Sequence, residues 1–116
     1  MLPKQYRLKK KSAFAATYRV KNSIHKGGVT LFAGILKSED VPTKAGFVVS
    51  KKTHKRAVKR NRLKRLMRES YRLLLKNNEL NESQKYLYLI FVASEQALGK
   101  NFDEIYNIIK NLIERV

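Results

Sequence analysis

The segment from residue 57 to 76, AVKRNRLKRLMRESYRLLLK, has no Gly or Pro and repeats its apolar residues at steps of three and four, a period that suits a helix and not a strand. Advancing about 100° per residue from Ala57, the side chains of Leu63, Leu66, Met67, Leu73 and Leu74 fall between about 160° and 280°. Arg60, Asn61, Lys64, Arg65, Arg68 and Arg72 fill the arc from about 300° through 80°, and Lys59 is the one first-turn cation that lands in the apolar arc. Any fold of this chain must bury the first arc and leave the second facing outward.

The flanking segments supply the rest of a small domain. Ser12 reads as the N-cap of a short helix to about Lys21, in which Phe14 and Tyr18 share a face at i, i+4. Gly27-Gly28 closes that region. Val29 to Leu36 and Ala45 to Ser50 read as two strands; the polar loop Lys37 to Lys44, with Pro42, predicts a hairpin between them, and Asn22 to His25 is a weaker third strand. In the first strand Val29, Leu31, Ala33 and Ile35 point one way and Thr30, Phe32 and Gly34 the other; in the second, Phe47 and Val49 oppose Val48, Ser50 and Lys52. Each strand therefore has one large apolar face and one mixed face.

After a polar connection, Lys76 to Lys85, the run Tyr86 to Ala93 is apolar on both faces and suits a central strand. Asn101 caps a last helix with Glu104 at N3, and Phe102, Ile105, Ile109, Leu112, Ile113 and Val116 form its apolar stripe. The order α-β-β-β-α-β-α predicts a single α+β domain over residues 1–116, with the helices on one side of a small sheet.

Charge points to the partner. The net charge is +17, and it is uneven: residues 1–76 carry 22 basic and 3 acidic side chains (+19), residues 77–116 carry 4 and 6 (−2). Residues 51–76 hold 12 Lys or Arg and one acid, Glu69, so the i, i+4 pairing that makes a charged helix self-sufficient is nearly absent. A phosphate backbone relieves such repulsion, and arginine at the centre favours bidentate phosphate contact. Scattered Lys37, Lys44 and Lys76 read as solvated charges.

Catalytic groups do not converge. There is no cysteine, hence no disulfide, thiolate metal site or cysteine nucleophile. His25 and His54 lie 29 positions apart, the carboxylates are scattered in pairs such as Glu39-Asp40 and Asp103-Glu104, and Gly27-Gly28 lacks the spacing of a phosphate loop. The expectation is a polypeptide with no catalytic residues and no metal site of its own. No stretch approaches the roughly 18 apolar residues of a membrane span and no apolar segment follows the basic N-terminus, so a cytoplasmic protein without a membrane role is expected. The rival classes are a structural RNA-binding protein such as a ribosomal subunit, a nuclease acting alone, and a membrane-surface helix.

Phe14, Tyr18 and Phe32 form a second constellation. An i, i+4 aromatic pair serves a core or a stacking platform, and spacing alone leaves both open. In the second case Lys9, Lys10, Lys11 and Arg19 would hold the backbone of an unpaired strand.

Ser50-Lys51-Lys52, followed by Ala57-Val58-Lys59-Arg60-Asn61-Arg62-Leu63-Lys64-Arg65-Leu66-Met67-Arg68, resembles the Arg-Asn-Arg signature of the bacterial ribonuclease P protein family, and the likeness extends over nearly the whole chain. The resemblance implies a small basic subunit that assists a catalytic RNA in removing the 5′ leader of precursor tRNA, with no further protein partner. It implies that Arg60, Asn61, Arg62, Lys64, Arg65 and Arg68, with Lys51 and Lys52, contact the RNA subunit. It implies that Phe14, Tyr18 and Phe32, with Val48 and Ser50, line a cleft for the leader. It further implies Mg²⁺ held mainly by the RNA, and a left-handed β-α-β crossover against the usual rule. Two features depart from many members: the longer Thr53-His54-Lys55-Arg56 turn before the helix, and Tyr18 where Phe is common.

Overall fold

The computed structural model describes residues 2–116. Its sheet has four strands: β1 (Ser23–Lys26), β2 (Val29–Leu36), β3 (Lys44–Val49) and β4 (Tyr86–Ala93), in the spatial order β1-β2-β4-β3. The strand that is apolar on both faces takes a central place, with Leu89, Ile90 and Phe91 fully buried. β2 pairs antiparallel with β4, and β3 pairs parallel with it.

One expectation about the strands is met and one is corrected. The weak third strand is real: β1 and β2 form a hairpin whose two turn residues, Gly27 and Gly28, hold φ of 57° and 90°. The hairpin expected between β2 and β3 does not form, because β4 lies between them. The 37–43 connection easily spans the roughly 10 Å of two strand spacings, and the strand with two apolar faces gains most from the place with neighbours on both sides.

The helices are α1 (Lys11–Val20), α2 (Ala57–Lys76) and α3 (Phe102–Arg115). They do not share one side of the sheet. α2 and α3 bury Val29, Leu31, Ala33, Phe91 and Val49 in the main core, whereas α1 packs on the opposite face around Leu8, Ala13 and Ile90. Glycine explains how α1 sits so low. A Cβ on Gly34 would lie 2.9 Å from Thr17 Cα, and one on Gly46 would lie 2.7 Å from the Phe14 ring. The N-cap of α1 is Lys10, two residues before the expected Ser12 cap, since the Lys10 carbonyl accepts from the amides of Ala13 and Phe14 at 3.1 and 3.2 Å.

α2 spans the expected residues, and connects β3 to β4 across the core face. Its buried side chains are Leu63, Met67, Ser70, Tyr71 and Leu74, an arc of about 220° to 320° that is turned toward Tyr71 relative to the expected stripe. Tyr71 is the reason. Its ring is fully buried against Phe47 and Phe91, at centroid distances of 6.0 and 5.9 Å, with Phe47 stacked on Phe91 at 5.5 Å. Aromatic packing of this kind outweighs the cationic neighbours on the wheel. α3 carries the expected capping box, Asn101 accepting from the Glu104 amide at 2.9 Å and Glu104 from the Asn101 amide at 3.1 Å. In β2 the inward alternation stops at Gly34: Ile35 takes a left-handed φ of 50° and turns to the surface. No helix of the described residues is long and apolar enough to cross a membrane.

Candidate nucleic-acid interface

Rotation of α2 toward Tyr71 redistributes its cations. Asn61, Arg62 and Arg65 are exposed and, with Val58, border a shallow depression on the outer face of the helix. Lys64 and Arg68 are half-buried beside that face. Arg72 is already paired: its guanidinium donates to both carboxylate oxygens of Glu69, with Nε at 3.0 Å from each. That hydrogen bonding holds the Glu69 carboxyl below its ordinary range. The pair removes Arg72 from the charges free to meet an anion.

Arg60 has an inward task. Its position, at about 300°, falls inside the buried arc. Its Nη1 donates to the carbonyls of His54, at 2.9 Å, and Lys55, at 2.7 Å. The same turn is closed by the Arg56 amide donating to His54 Nδ1 at 3.0 Å and the Thr53 amide donating to the Ser50 carbonyl at 3.0 Å. Thr53 Oγ1 also donates to the Ala93 carbonyl at 3.4 Å, which fastens the turn to β4. The Thr53–Arg56 turn is thus a built element, and it presents Lys51, Lys52, Lys55 and Arg56 exposed at the start of the helix. No acidic side chain occupies the first turn of α2, and no side chain caps it, so its free amides add to the positive potential. Arg62 leans the other way, Nη1 reaching the Lys100 carbonyl at 3.4 Å. Lys59 follows it, bordering a recess with His54, Arg62 and Gly99.

The aromatic residues come together on the opposite face of the sheet. Phe14 and Tyr18 lie 6.5 Å apart on α1, and Tyr18 meets Phe32 of β2 edge-on at 4.9 Å. All three are partly exposed, so they form a wall and not a core. Strand register builds the floor: Thr30, Val92 and Val48 lie in one row across β2, β4 and β3, and Phe32, Ile90 and Gly46 in the next. Burial raises the Tyr18 hydroxyl above its ordinary pKa, so it stays a neutral hydrogen-bonding group. Ser50, two residues beyond Val48 on the same side of the chain, ends the floor, its Oγ 3.3 Å from Thr53 Oγ1. Every residue expected in the cleft is brought to one surface, and that surface ends where the basic turn begins.

Sequence reasoning missed Ile90 and Val92 as floor residues and His54 as a turn former. It also missed the meaning of Gly34 and Gly46. Glycine inside two strands was the available signal, since it marks a close backbone approach. Among the described residues no group of three or more His, Asp or Glu side chains could hold a metal ion.

Comparison with known proteins gives a consistent picture. A family model described as Ribonuclease P matches residues 2–116. The chain is 36% identical over 110 residues to the ribonuclease P protein component of Clostridium kluyveri, covering 95% of this chain and 93% of that one. It is 33% identical over 115 residues to that of Pseudanabaena, covering 99% and 94%. Among solved structures, the Staphylococcus aureus RNase P protein superposes with a TM-score of 0.78 at 25% identity, over 97% of this chain and 95% of that one. The Thermotoga maritima protein shares the fold, with a TM-score of 0.76 at 21% identity over 95% and 96%.

Proposed function

This chain belongs to the ribonuclease P protein family, and on that premise we propose that it holds two RNAs at adjoining surfaces, the catalytic RNA on the α2 face and the precursor tRNA leader in the aromatic cleft. It is the protein component of a tRNA-processing ribonucleoprotein, and its partner is the ribonuclease P RNA. Asn61, Arg62, Lys64, Arg65 and Arg68, with Lys51 and Lys52 from the turn, meet phosphates of that RNA. Arg60 contributes by setting the turn that carries Lys51 and Lys52. The leader lies unpaired over Val48 and Val92, its bases against Phe14, Tyr18 and Phe32, and leaves the cleft past Ser50.

One observation carries this reading: the Ser50–Thr53 turn joins the last floor residue of the aromatic cleft to the first cations of the basic helix. The junction of leader and mature tRNA would therefore lie beside the catalytic RNA. Bond cleavage belongs to RNA and Mg²⁺. Magnesium takes oxygen ligands, chiefly carboxylates and phosphates, and this face offers cations, so the residues present do not fit a resident ion. The protein's contribution is to neutralise phosphates and position the leader.

Reconstitution with a bacterial ribonuclease P RNA tests the reading. Added protein should restore precursor processing at low Mg²⁺, while the protein without RNA should cleave nothing. Equal processing with and without protein would refute it. A general structural RNA-binding protein would bind the same RNA but would not respond to leader length.

A further inference from the structure

α1 divides the face on which it sits. Phe14 and Tyr18 stand against Gly46 and Phe32 of the row Phe32–Ile90–Gly46, and the next row runs from Gly34, beneath Thr17 of the helix, out to Tyr88 and Lys44 on its other flank. On that far flank is a separate recess of about 250 Å³. Its apolar surface is the half-buried ring of Tyr88 with Leu8 and Ala13, and its rim is five cations: Lys4, Arg7, Lys9, Lys10 and Lys44.

Three properties of the recess belong together. No carboxylate lines it, and the ion pairs of the described residues, Glu69–Arg72 and Lys110–Glu79, lie elsewhere. The Nε–H of Arg7, a residue of the rim, is buried without a hydrogen-bond partner, although the Arg7 backbone is bridged to Ala45 and the Leu8 amide donates to the Ala45 carbonyl at 2.9 Å. A buried guanidinium donor left unpaired is costly, and an anion that accepts from it recovers that cost. Finally, an aromatic ring beside uncompensated cations suits a ligand that is flat and apolar at one end and anionic at the other.

We propose that this recess binds one nucleotide of single-stranded RNA, with the phosphate held by Arg7 and Lys44 and the base stacked on Tyr88. The site is distinct from the leader cleft, from which α1 separates it, and rests only on the reading of the chain as an RNA-binding subunit. Two strands could supply such a nucleotide: the distal part of a long leader, or an unpaired segment of the catalytic RNA.

The holoenzyme tests it with three variants, Lys44→Gln, Arg7→Gln and Tyr88→Leu, the last keeping apolar volume while removing the stacking ring. Affinity is measured for the catalytic RNA alone and, in the assembled holoenzyme, for precursor tRNAs with leaders of about 4 and about 15 nucleotides; Phe14→Ala serves as the cleft control. Thermal unfolding checks that each variant is folded. A leader source predicts that all three variants lose about five- to tenfold in affinity for the long leader and nothing for the short one. A catalytic-RNA source predicts the same loss in RNA assembly, whatever the leader. Wild-type behaviour of all three variants in both arms overturns the proposal, as does a loss confined to the two charge variants, which a bare cationic patch would explain. A silent Phe14→Ala would count against the leader cleft and leave this result standing.

Discussion

The ring of Tyr18 meets the ring of Phe32 edge-on with centroids 4.9 Å apart, so that a residue of α1 and a residue of β2 make one continuous aromatic wall. The wall is shared by two elements, and its geometry depends on how closely α1 approaches the sheet. Base stacking on such rings is worth about 1–3 kcal/mol per base. Phe14→Ala should therefore weaken the holoenzyme's affinity for precursor tRNA about tenfold while leaving its affinity for leaderless tRNA and for the catalytic RNA unchanged, as read by equilibrium binding.

The approach of α1 is itself testable. At Gly34 an added methyl group meets the backbone of Thr17 at 2.9 Å, whereas at Gly46 it meets the edge of the Phe14 ring at 2.7 Å. A helix backbone cannot step aside as a side chain can. Gly34→Ala should destabilise the fold by about 1–3 kcal/mol in denaturant unfolding. Gly46→Ala should cost less stability and instead reduce leader affinity, because Phe14 is displaced.

The cations of α2 should not contribute alike. If roughly 6 phosphates are engaged, log affinity for the catalytic RNA should fall against log salt with a slope of about −4 to −5. Arg65→Ala, at an exposed position, should flatten that slope by about 1. Arg72→Ala should leave it nearly unaltered, since Glu69 already neutralises that guanidinium.

Arg60 should behave differently from both. Its two hydrogen bonds to the His54 and Lys55 carbonyls shape the turn before the helix. Arg60→Ala should lower stability by about 1–2 kcal/mol as well as weaken RNA assembly. Arg65→Ala should lower assembly alone, and comparison of the two unfolding midpoints decides the matter.

Tyr71 gives a signature in alkali. Burial pushes its hydroxyl up to about 12 from an ordinary value of 10.0, against the smaller opposing effect of the hydrogen bond it accepts from Gln84 at 3.3 Å. Between those values the folded chain keeps a proton that the unfolded chain has lost, so its contribution to stability is complete below pH 10 and falls as pH rises toward 12 by about 1.4 kcal/mol per unit. Tyr71→Phe should remove this part of the decline when unfolding is followed from pH 9 to 11.5.

Patterns local to one element were legible in the sequence. The bounds of α2, the Asn101–Glu104 capping box and the doubly apolar β4 each depend on neighbours a few residues away, and each is found as expected. Pairing was harder to read. Nothing within residues 29–50 says that a strand some 40 positions onward will insert between β2 and β3. The wheel of α2 left Tyr71 unassigned, because an aromatic residue among arginines has no side until Phe47 and Phe91 are placed against it. The same rotation turned Arg60 from an outward contact into the residue that holds the Thr53–Arg56 turn. The cleft residues were identifiable as a set through family resemblance, but the floor they stand on comes from β4 and could be seen only once the strand order was known.

The most direct measurement of the central claim is the ratio of affinities for leader-bearing precursor and mature tRNA, taken with the catalytic RNA alone, with the wild-type holoenzyme and with a Phe14→Ala, Tyr18→Ala holoenzyme. The division of labour between the basic helix and the aromatic cleft predicts a ratio near 1 for RNA alone, a marked preference for precursor when the protein is added, and loss of most of that preference in the double variant despite intact assembly. An equal preference without protein, or a double variant indistinguishable from wild type, would contradict it.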